Sequence, residues 1–393
     1  MPRRPRPIAP AAVEVRRVRS LADLRRFIDL PYRLHAGTPW IPPLRLERWV
    51  FLTQALNAFF THGRGAYFLA LRDGRVVGRI TAQVDDAFNA FHGSRWGMFG
   101  FFELEDDQEV ADALLGTAEA WLRARGCDRM VGPMDFSMND ESGVLVEGFE
   151  HEPLIRQPWQ PPYYAERLEA AGMAKAVDLL SWWLDVADRS KVRPALFRMA
   201  RRARESGGIT IREMSRRHLR RELDAFAEVY NAAWSQNWGF VPYGKADLDA
   251  YALELRLVRS PGFFMVAEKD GETVGMAITV MDINQVLKRM KGRLLPLGWW
   301  WFLRRHQITD QLRVGFLGVK PEHMTAGVGA ALYEAHYDTA ERSPLSHGEA
   351  GWILEGNKAM NKSLQAMNGH VIKRWRVFER RFDGVTDGGG PDA

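Results

Sequence analysis

The sequence predicts an α/β protein built as two related domains in tandem, and three observations carry that prediction. The first is an internal repeat: "AYFLALRDGRVVGRITAQVDD" from Ala66 resembles "FFMVAEKDGETVGMAITVMDI" from Phe263. The second is that each copy reads as a β-hairpin, two apolar strands joined by a polar Asp-Gly turn. The third is that further anchors keep the same order. Asp73 precedes Asp270, and Gly172 precedes Gly369, by 197 residues, whereas Gly100 precedes Gly315 by 215. The second copy has therefore gained 18 residues between its third and fourth strands.

Each half runs through a helical opening, the hairpin, a further strand, a helix, a strand, a helix and a final strand. In the first half "SLADLRRFIDLPYRLH" is the opening helix and "QEVADALLGTAEAWLRARG" the central one. Ala111, Leu114, Leu115, Ala118 and Leu122 recur there at helical spacing. "RMVGPMDF" follows as a strand, "YYAERLEAAG" as a helix closed by Gly172, and "DLLSWWLDV" as the last strand. In the second half the helices are "RRELDAFAEVYNAAW", "GVGAALYEAHYDTAERS" and "MNKSLQAMNG", and "VIKRWRVFERRF" is the last strand. The basic segment "KVRPALFRMARRARESGG" joins the halves as a helix ending at Gly207–Gly208. The expected organisation is a basic N-terminus over 1–12, a first domain over 13–188 and a linker helix over 189–208. A second domain follows over 209–383, with an insertion at 283–306, and then a disordered tail over 384–393.

Composition sets bounds on function. With 393 residues, 46% hydrophobic and 26% charged, the chain has an ordinary globular make-up and enough length for two domains. Its one cysteine, Cys127, excludes an internal disulfide or a paired-cysteine metal site and suits a reducing cytoplasm. No metal-ligand spacing and no Ser-His-Asp or Cys-His arrangement stands out. The net charge is +5, but arginines cluster at Arg3, Arg4 and Arg6 and again at Arg201, Arg202, Arg204, Arg216, Arg217, Arg220 and Arg221. Such clusters are either solvated helix faces or surfaces for an anionic partner. No opening segment has the apolar core of a signal peptide. The apolar run Leu294 to Leu303 covers about 15 Å as a helix, half of a hydrocarbon core.

The chemistry starts at "LRVGFLGVKPEHMTAGVGAALYEAHYDTA", where a strand runs into Pro321 and Gly327 and Gly329 then open a helix. Free N–H groups at a helix start, approached closely through glycine, bind phosphate; a plain tight turn is the other reading of a Gly-x-Gly. With this segment the chain resembles the GNAT acyltransferase superfamily in its tandem form. That resemblance implies an α/β (α+β) fold of two domains, each a mixed, mostly antiparallel sheet flanked by helices. It also implies acyl-coenzyme A, acetyl or long-chain, as co-substrate, and the lack of metal-ligand spacing adds the expectation of no metal. The family signature, Arg/Gln-x-x-Gly-x-Gly/Ala, is matched at Gly327 and Gly329, with Met324 where Arg or Gln is usual. Carried over, it assigns Met324, Thr325, Ala326, Gly327, Val328, Gly329 and Ala330 to the pyrophosphate, Leu317, Gly318 and Val319 to the fourth strand, and Asn361 to the helix after the fifth. The family's general-acid tyrosine is absent, with Gln365 in its place. The first half has no glycine pair in "LEDDQEVADALLG" and carries three acids in its first four residues, so it reads as the copy that lost coenzyme A. "GPMDFSMNDESGVLVEGFE", "PPYYAERLEAAGM" and "YNAAWSQNWGFVP" further resemble a bacterial group that includes ceramide synthases, which acylate the amine of a sphingoid base.

Amide formation from a thioester needs a neutral amine, a held oxyanion and a proton for the leaving thiolate. Backbone at Leu317 or Val319 is the expected oxyanion donor. Glu141 is the first choice of base, with Asp135, Asn139 and Asp140 around it; a solvated turn is the other reading. His323 and Glu355 are the further candidates, although a lone surface histidine explains His323 equally. Tyr163 and Tyr164 stand at a helix start, to donate a proton, line the amine pocket or pack as aromatics. Trp234, Asn237, Trp238, Phe240 and Tyr243 follow the opening helix of the second half, where related acyltransferases build the acceptor site; a core staple is the alternative. Flat apolar walls mixed with amides suit a greasy amine with a polar head.

The insertion is amphipathic. Ile283, Val286, Leu287 and Met290 fall on one helical face, with Lys288, Arg289 and Lys291 off it, and "RLLPLGWWWFLRRH" follows. Tryptophan between basic residues suits the headgroup boundary of a bilayer, while a lid or subunit interface is the competing reading. The expected function is N-acylation of a lipid amine from acyl-coenzyme A, in the cytoplasm and peripheral on the cytoplasmic membrane, with no nucleic acid involved. Acetylation of a small polar amine, and non-catalytic binding of acyl-coenzyme A, are the alternatives; the oligomeric state stays open.

Overall fold

The computed structural model describes residues 12–186, 188–215, 217–244, 247–249, 259–345 and 347–382. The expected tail and all but the last residue of the expected basic N-terminus lie outside these ranges.

Among the described residues thirteen strands form one continuous sheet. The first half supplies β1 (Glu14–Arg17), β2 (Gly63–Arg72), β3 (Arg75–Asp85), β4 (Trp96–Leu104), β5 (Arg129–Gly132), β6 (Val144–Glu147) and β7 (Ala174–Asp185). The second supplies β8 (Ile209–Glu213), β9 (Arg259–Lys269), β10 (Glu272–Met281), β11 (Gln311–Val319), β12 (His347–Leu354) and β13 (His370–Arg381). They run in the order β1-β2-β3-β4-β5-β13-β7-β12-β11-β10-β9-β8, with β6 beside β13. The sheet is mixed and mostly antiparallel; β4–β5 and β11–β12 are its parallel pairs. Both hairpins turn as their Asp-Gly pairs dictate, with Asp73 and Asp270 at φ +51° followed by Gly74 and Gly271 at φ +73° and +80°.

Helices cover both faces of the sheet. In the first half α1 (Leu21–Leu34), capped by Ser20, lies on one face and α4 (Gln108–Arg123) on the other. Strand alternation divides β2 between them: Tyr67, Leu69 and Leu71 pack with Phe27 and Ile28 of α1, while Phe68 and Ala70 pack with Leu114 and Leu115 of α4. In the second half α7 (Leu219–Trp234) and α11 (Val328–Ala340) stand in the same relation to β9 and β10. Between these lie α2 (Arg45–Leu52), α3 (Asp86–His92), α5 (Tyr163–Ala170) and the linker helix α6 (Pro194–Glu205). The insertion forms α8 (Asn284–Met290), α9 (Gly298–Leu303) and α10 (Arg305–Ile308), and α12 (Lys358–Ala366) precedes the last strand. Among the described residues no helix is long and apolar enough to cross a membrane.

The two halves are not closed units, because their last strands are exchanged. β7, from the first half, pairs with β12 of the second, and β13 pairs with β5 of the first. β7 and β13 also pair with each other, so the seam near residue 188 in the chain is not the seam in space. Within this junction Asp178 accepts from Arg376 Nε at 2.9 Å, and Lys175 lies 3.0 Å away. β5 stops at Gly132, short of the run expected to Phe136, since Pro133 has no N–H to continue a ladder. β1, β6 and β8 are additional short strands, two of them at the sheet's edges.

A buried polar cluster pins the junction. Lys373 Nζ lies 2.8 Å from Glu349, which also accepts from Ser181 Oγ at 2.6 Å. Nearby Asp282 is 2% exposed and accepts from the backbone N–H groups of Ile155 and Asn284 at 3.1 and 3.2 Å. Burial pushes its carboxyl up to about 7 from an ordinary 3.8. The folded state therefore holds this proton more tightly than the unfolded chain, so stability contributed by protonated Asp282 is full below pH 3.8 and is lost as pH rises through about 7. Asp282→Asn keeps an oxygen for both N–H groups without the charge. It is expected to raise stability at pH 8 by up to roughly 4 kcal/mol and to change it little near pH 4. Denaturant melts of both proteins across this range check it; an equal difference at both pH values would refute it.

Candidate active site

β11 pairs with β10 along its length but with β12 only over Gln311–Val314, so a wedge opens between Gly315–Val319 and Gly351–Leu354. Lys320 N–H bonds Val274 O, and by strand alternation Gly318 also turns to β10, which leaves the N–H groups of Leu317 and Val319 facing the wedge. The wedge is open at Gly315, where an added Cβ would have only Ile278 O within 4 Å, at 3.7 Å. Its counterpart in the first half is filled by backbone, since a Cβ on Gly100 would lie 1.9 Å from Met134 O.

The two helix starts beside the wedges differ in the same sense. α11 is entered through a short turn, Pro321–Ala326, and Gly327 at φ +77°, with no side chain capping it. Its first N–H groups are thus unclaimed by any side chain. Gly327 is required by its φ and by the linker helix, whose Ala203 Cβ and Met199 O would lie 3.2 Å from an added Cβ; Gly329 has nothing within 4 Å. In the first half Asp107 caps α4, accepting from Glu109 N at 3.0 Å, and Arg72 binds Asp107 at 2.8 Å and Glu109 at 2.6 Å. That helix start is occupied by the chain's own acids.

Three cavities meet at the open wedge. The largest, about 520 Å³, joins Leu317, Gly318 and Val319 to Met324, Gly327, Gly329 and Ala330, and is walled by Asn139, Trp234, Asn237, Trp238 and Phe240. Arg193 and Lys362 line it, and among the described residues no carboxylate does. A second, about 100 Å³, contains Asn139, Asp140, Arg156, Tyr230 and Tyr243 beside Gly315 and Phe316. A third is a narrow slot of about 60 Å³ running from Gly315 and Trp352 past Phe263 and Leu364 to a floor where Thr279 Oγ1 lies 2.8 Å from His336 Nε2. Trp234 borders all three.

Most of the residues expected from sequence converge here, with clear exceptions. Thr325, Ala326 and Val328 do not line the cavity, and Val328 is core. Asn361 clips the end of β12, donating to Leu354 O and Glu355 O and accepting from Trp182 Nε1. The loop 135–142 faces two ways. Asn139, whose Oδ1 accepts from Tyr230 Oη at 2.8 Å, and Asp140 look into the open wedge. Glu141 and Asp135 look into the first half, lining a small cavity with Glu103 and Trp159. Burial raises both carboxyls, and proximity to Glu141 raises Asp135 further. Tyr164 is fully buried there, donating to Glu103 at 2.6 Å, and Tyr163 donates to Leu104 O. Burial pushes the Glu103 carboxyl up, but His35, Arg79 and Tyr164 outweigh it and hold it below its ordinary value. Glu355 pairs with Lys175 at 2.8 Å at the surface, and His323 sits on the turn before Gly327, outside the lining of the large cavity. The structure therefore does not bring Glu141, Tyr163, Tyr164, Glu355 or His323 to the open wedge.

Two tyrosines at the wedge were not singled out by sequence. Tyr333, on α11, borders the large cavity and the slot and lies 3.0 Å from Met360 Sδ; burial raises its hydroxyl. Tyr230 holds Asn139. The available signal was position: Tyr333 follows Gly327 by six residues on one helix, and Tyr230 lies one turn before Trp234 on another.

No family model matches the chain. It is 36% identical over 371 residues to the bacterial ceramide synthase of Caulobacter vibrioides, covering 92% of this chain and 96% of that protein. To Protein YghO of Escherichia coli it is 34% identical over 367 residues, covering 92% and 93%. Among solved structures, the tandem GNAT protein from the clavulanic acid biosynthesis pathway matches with a TM-score of 0.57 at 15% identity, over 95% of this chain and all of that one. A GCN5-related N-acetyltransferase from Sphaerobacter thermophilus matches with a TM-score of 0.51 at 11% identity, over 94% and 95%. The exchanged-strand sheet, with a glycine-opened, uncapped helix start beside a splayed pair of parallel strands, defines an N-acyltransferase of the tandem GNAT class. Within that class the chain belongs to the family of the bacterial ceramide synthase and Protein YghO. It is thus an enzyme, and the fold implies acyl-coenzyme A as co-substrate.

Proposed function

We propose that this N-acyltransferase moves a long acyl chain from acyl-coenzyme A to the primary amine of a lipid of the sphingoid-base kind, working on the cytoplasmic membrane surface. The observation that carries the reading is the meeting of three unlike cavities at Trp234 and Trp352, two of them opening at Gly315. The large one, with its open helix start, Arg193 and Lys362 and no carboxylate, suits the phosphates and pantetheine arm of coenzyme A. The apolar slot suits the first carbons of the acyl chain, and the aromatic cavity with Asn139 and Asp140 suits an amine head on a greasy tail. A relative carrying the name ceramide synthase over nearly its full length supports the same acceptor class.

In this arrangement Asp140 takes the proton of the ammonium, and the neutral amine attacks the thioester carbonyl carbon. The resulting oxyanion lies against the Leu317 or Val319 N–H. As the C–S bond breaks, the thiolate takes a proton from Tyr333, whose raised hydroxyl stays protonated at neutral pH, and the second proton shed by the acylated nitrogen restores Tyr333 and leaves the neutral amide. The exposed Trp299 and Trp300 of the insertion are the membrane contact.

Turnover of acyl-coenzyme A of increasing length with sphinganine tests the reading. Long chains are expected to be used, and acetyl-coenzyme A with a small polar amine is not; the reverse preference would overturn it. Gly315→Leu fits the open space but fills the slot's mouth, so long-chain turnover should fall about tenfold or more while short-chain turnover is kept. Equal loss for both lengths would remove the slot from the acyl path.

A further inference from the structure

We propose that the cavity between the insertion and the first half is a binding site for the phosphate of an anionic lipid headgroup; this rests on the membrane-surface reading above. The insertion is built onto the first half rather than hanging free. Asn284 Nδ2 donates to Pro153 O at 2.8 Å, Arg45 N–H to Gly292 O at 3.2 Å, and Lys288 pairs with Glu152. A Cβ on Gly292 would lie 2.7 Å from the Tyr32 ring, so the two backbones approach as closely as glycine allows. The docking leaves an open cavity of about 720 Å³.

Among the described residues four cations line it, Arg45, Arg289, Lys291 and Arg293, and no carboxylate does. Arg45 is held by Asp29 at 2.9 Å and lies over the Tyr32 ring at 3.8 Å, and Arg289 lies over Trp301 at 5.4 Å. Among the described residues Arg289, Lys291 and Arg293 make no ion pair. Gathering like charges around a void costs free energy that an anion would recover. His35 closes the inner wall: it is 2% exposed, its Nε2 lies 2.6 Å from Glu103, and its buried Nδ1 has no hydrogen-bond partner. A protein rarely leaves such a nitrogen unsatisfied without a use for it.

The rim says what kind of anion. Leu295, Leu297 and Leu303 are 72%, 67% and 63% exposed, and Trp299 and Trp300 stand beside them. Leu46 and Val50, one turn apart on α2, continue the exposed apolar face from Arg45. A free phosphate would not require that rim. A lipid does, with its phosphate among the cations and its chains along the leucines and tryptophans.

The test uses the full chain and vesicles of phosphatidylcholine doped with phosphatidylglycerol, or with oleate at equal surface charge. The wild type should sediment best with phosphatidylglycerol, soluble glycerophosphate should compete, and the His35 ring resonances should shift on adding glycerophosphate. Arg289→Ala/Lys291→Ala/Arg293→Ala should weaken sedimentation about tenfold or more and abolish the shift, with acyl-coenzyme A affinity unchanged. Trp299→Ser/Trp300→Ser should lose sedimentation yet keep the shift. Sedimentation of the wild type without a His35 shift, and equally with oleate, overturns the site while the membrane reading survives. A His35 shift without sedimentation marks a site for free phosphate, overturning both the lipid assignment and the membrane reading, and neither signal overturns both as well.

Discussion

Gly329→Glu is expected to abolish coenzyme A binding while leaving the protein folded. Nothing lies within 4 Å of the position of a Cβ at Gly329, so the side chain meets no steric barrier. The residue lines the large cavity one position into α11, where the uncapped N–H groups face an incoming anion. A carboxylate there takes those donors for itself and repels the pyrophosphate, as Asp107, which accepts from the Glu109 N–H, already occupies the start of α4. The loss of affinity should be roughly a hundredfold or more, since charge repulsion adds to lost hydrogen bonds. Gly327→Glu is a different experiment. Its φ of +77° and the contacts with Ala203 and Met199 mean that any side chain strains the turn and pushes α6 away, so a lower melting temperature should accompany the lost binding. Titration of acyl-coenzyme A into both variants, alongside thermal melts, separates the two. Unchanged affinity in Gly329→Glu would move the cofactor site elsewhere.

The contrast between the helix starts was legible in the sequence, because it is local. A glycine pair and three acids are read directly, and so are the Asp-Gly hairpin turns and the helical spacing of Ala111 to Leu122. The exchange of β7 and β13 was not legible. Each strand's pattern records only how it is buried, nearly throughout in β7 and at alternate positions in β13, and which neighbour it pairs with is settled by contacts nearly 200 residues distant, such as Arg376 with Asp178. The same limit applies at the site. The loop 135–142 was recognised as polar and functional in character, but successive residues of an irregular loop follow no period. Sequence therefore could not say that Asn139 and Asp140 turn to one wedge and Glu141 to the other. Tyr333 was hidden for a related reason: in "ALYEAHY" it reads as one more aromatic on a buried helix, and only the opening of β11 from β12 gives its hydroxyl a cavity to face.

That division of one loop between two wedges leads to the second large effect, a reversal between neighbouring residues. Asp140→Asn is expected to lower kcat by about a hundredfold or more, the scale on which a positioned base contributes, with acyl-coenzyme A affinity within a fewfold of wild type. Asp140 borders the cavity beside Gly315, with Arg156 3.9 Å away and Asn139 next to it held by Tyr230, so it is the carboxylate of this loop placed to meet an amine at the wedge. Glu141→Gln should leave kcat within a fewfold of wild type, although sequence favours Glu141 as the base. Its carboxyl sits behind Asp135 in the first half, where burial raises it and where backbone fills the path to Gly100. Removing a charge from that buried pair should raise thermal stability at neutral pH and above, where the native Glu141 has to ionise against its surroundings. Rates for both variants, measured with saturating acyl-coenzyme A and a sphingoid base, decide between the two carboxylates. Should Glu141→Gln be the slow enzyme and Asp140→Asn the normal one, the reacting amine sits in the first half, and the open wedge of the second serves only to hold the acyl donor.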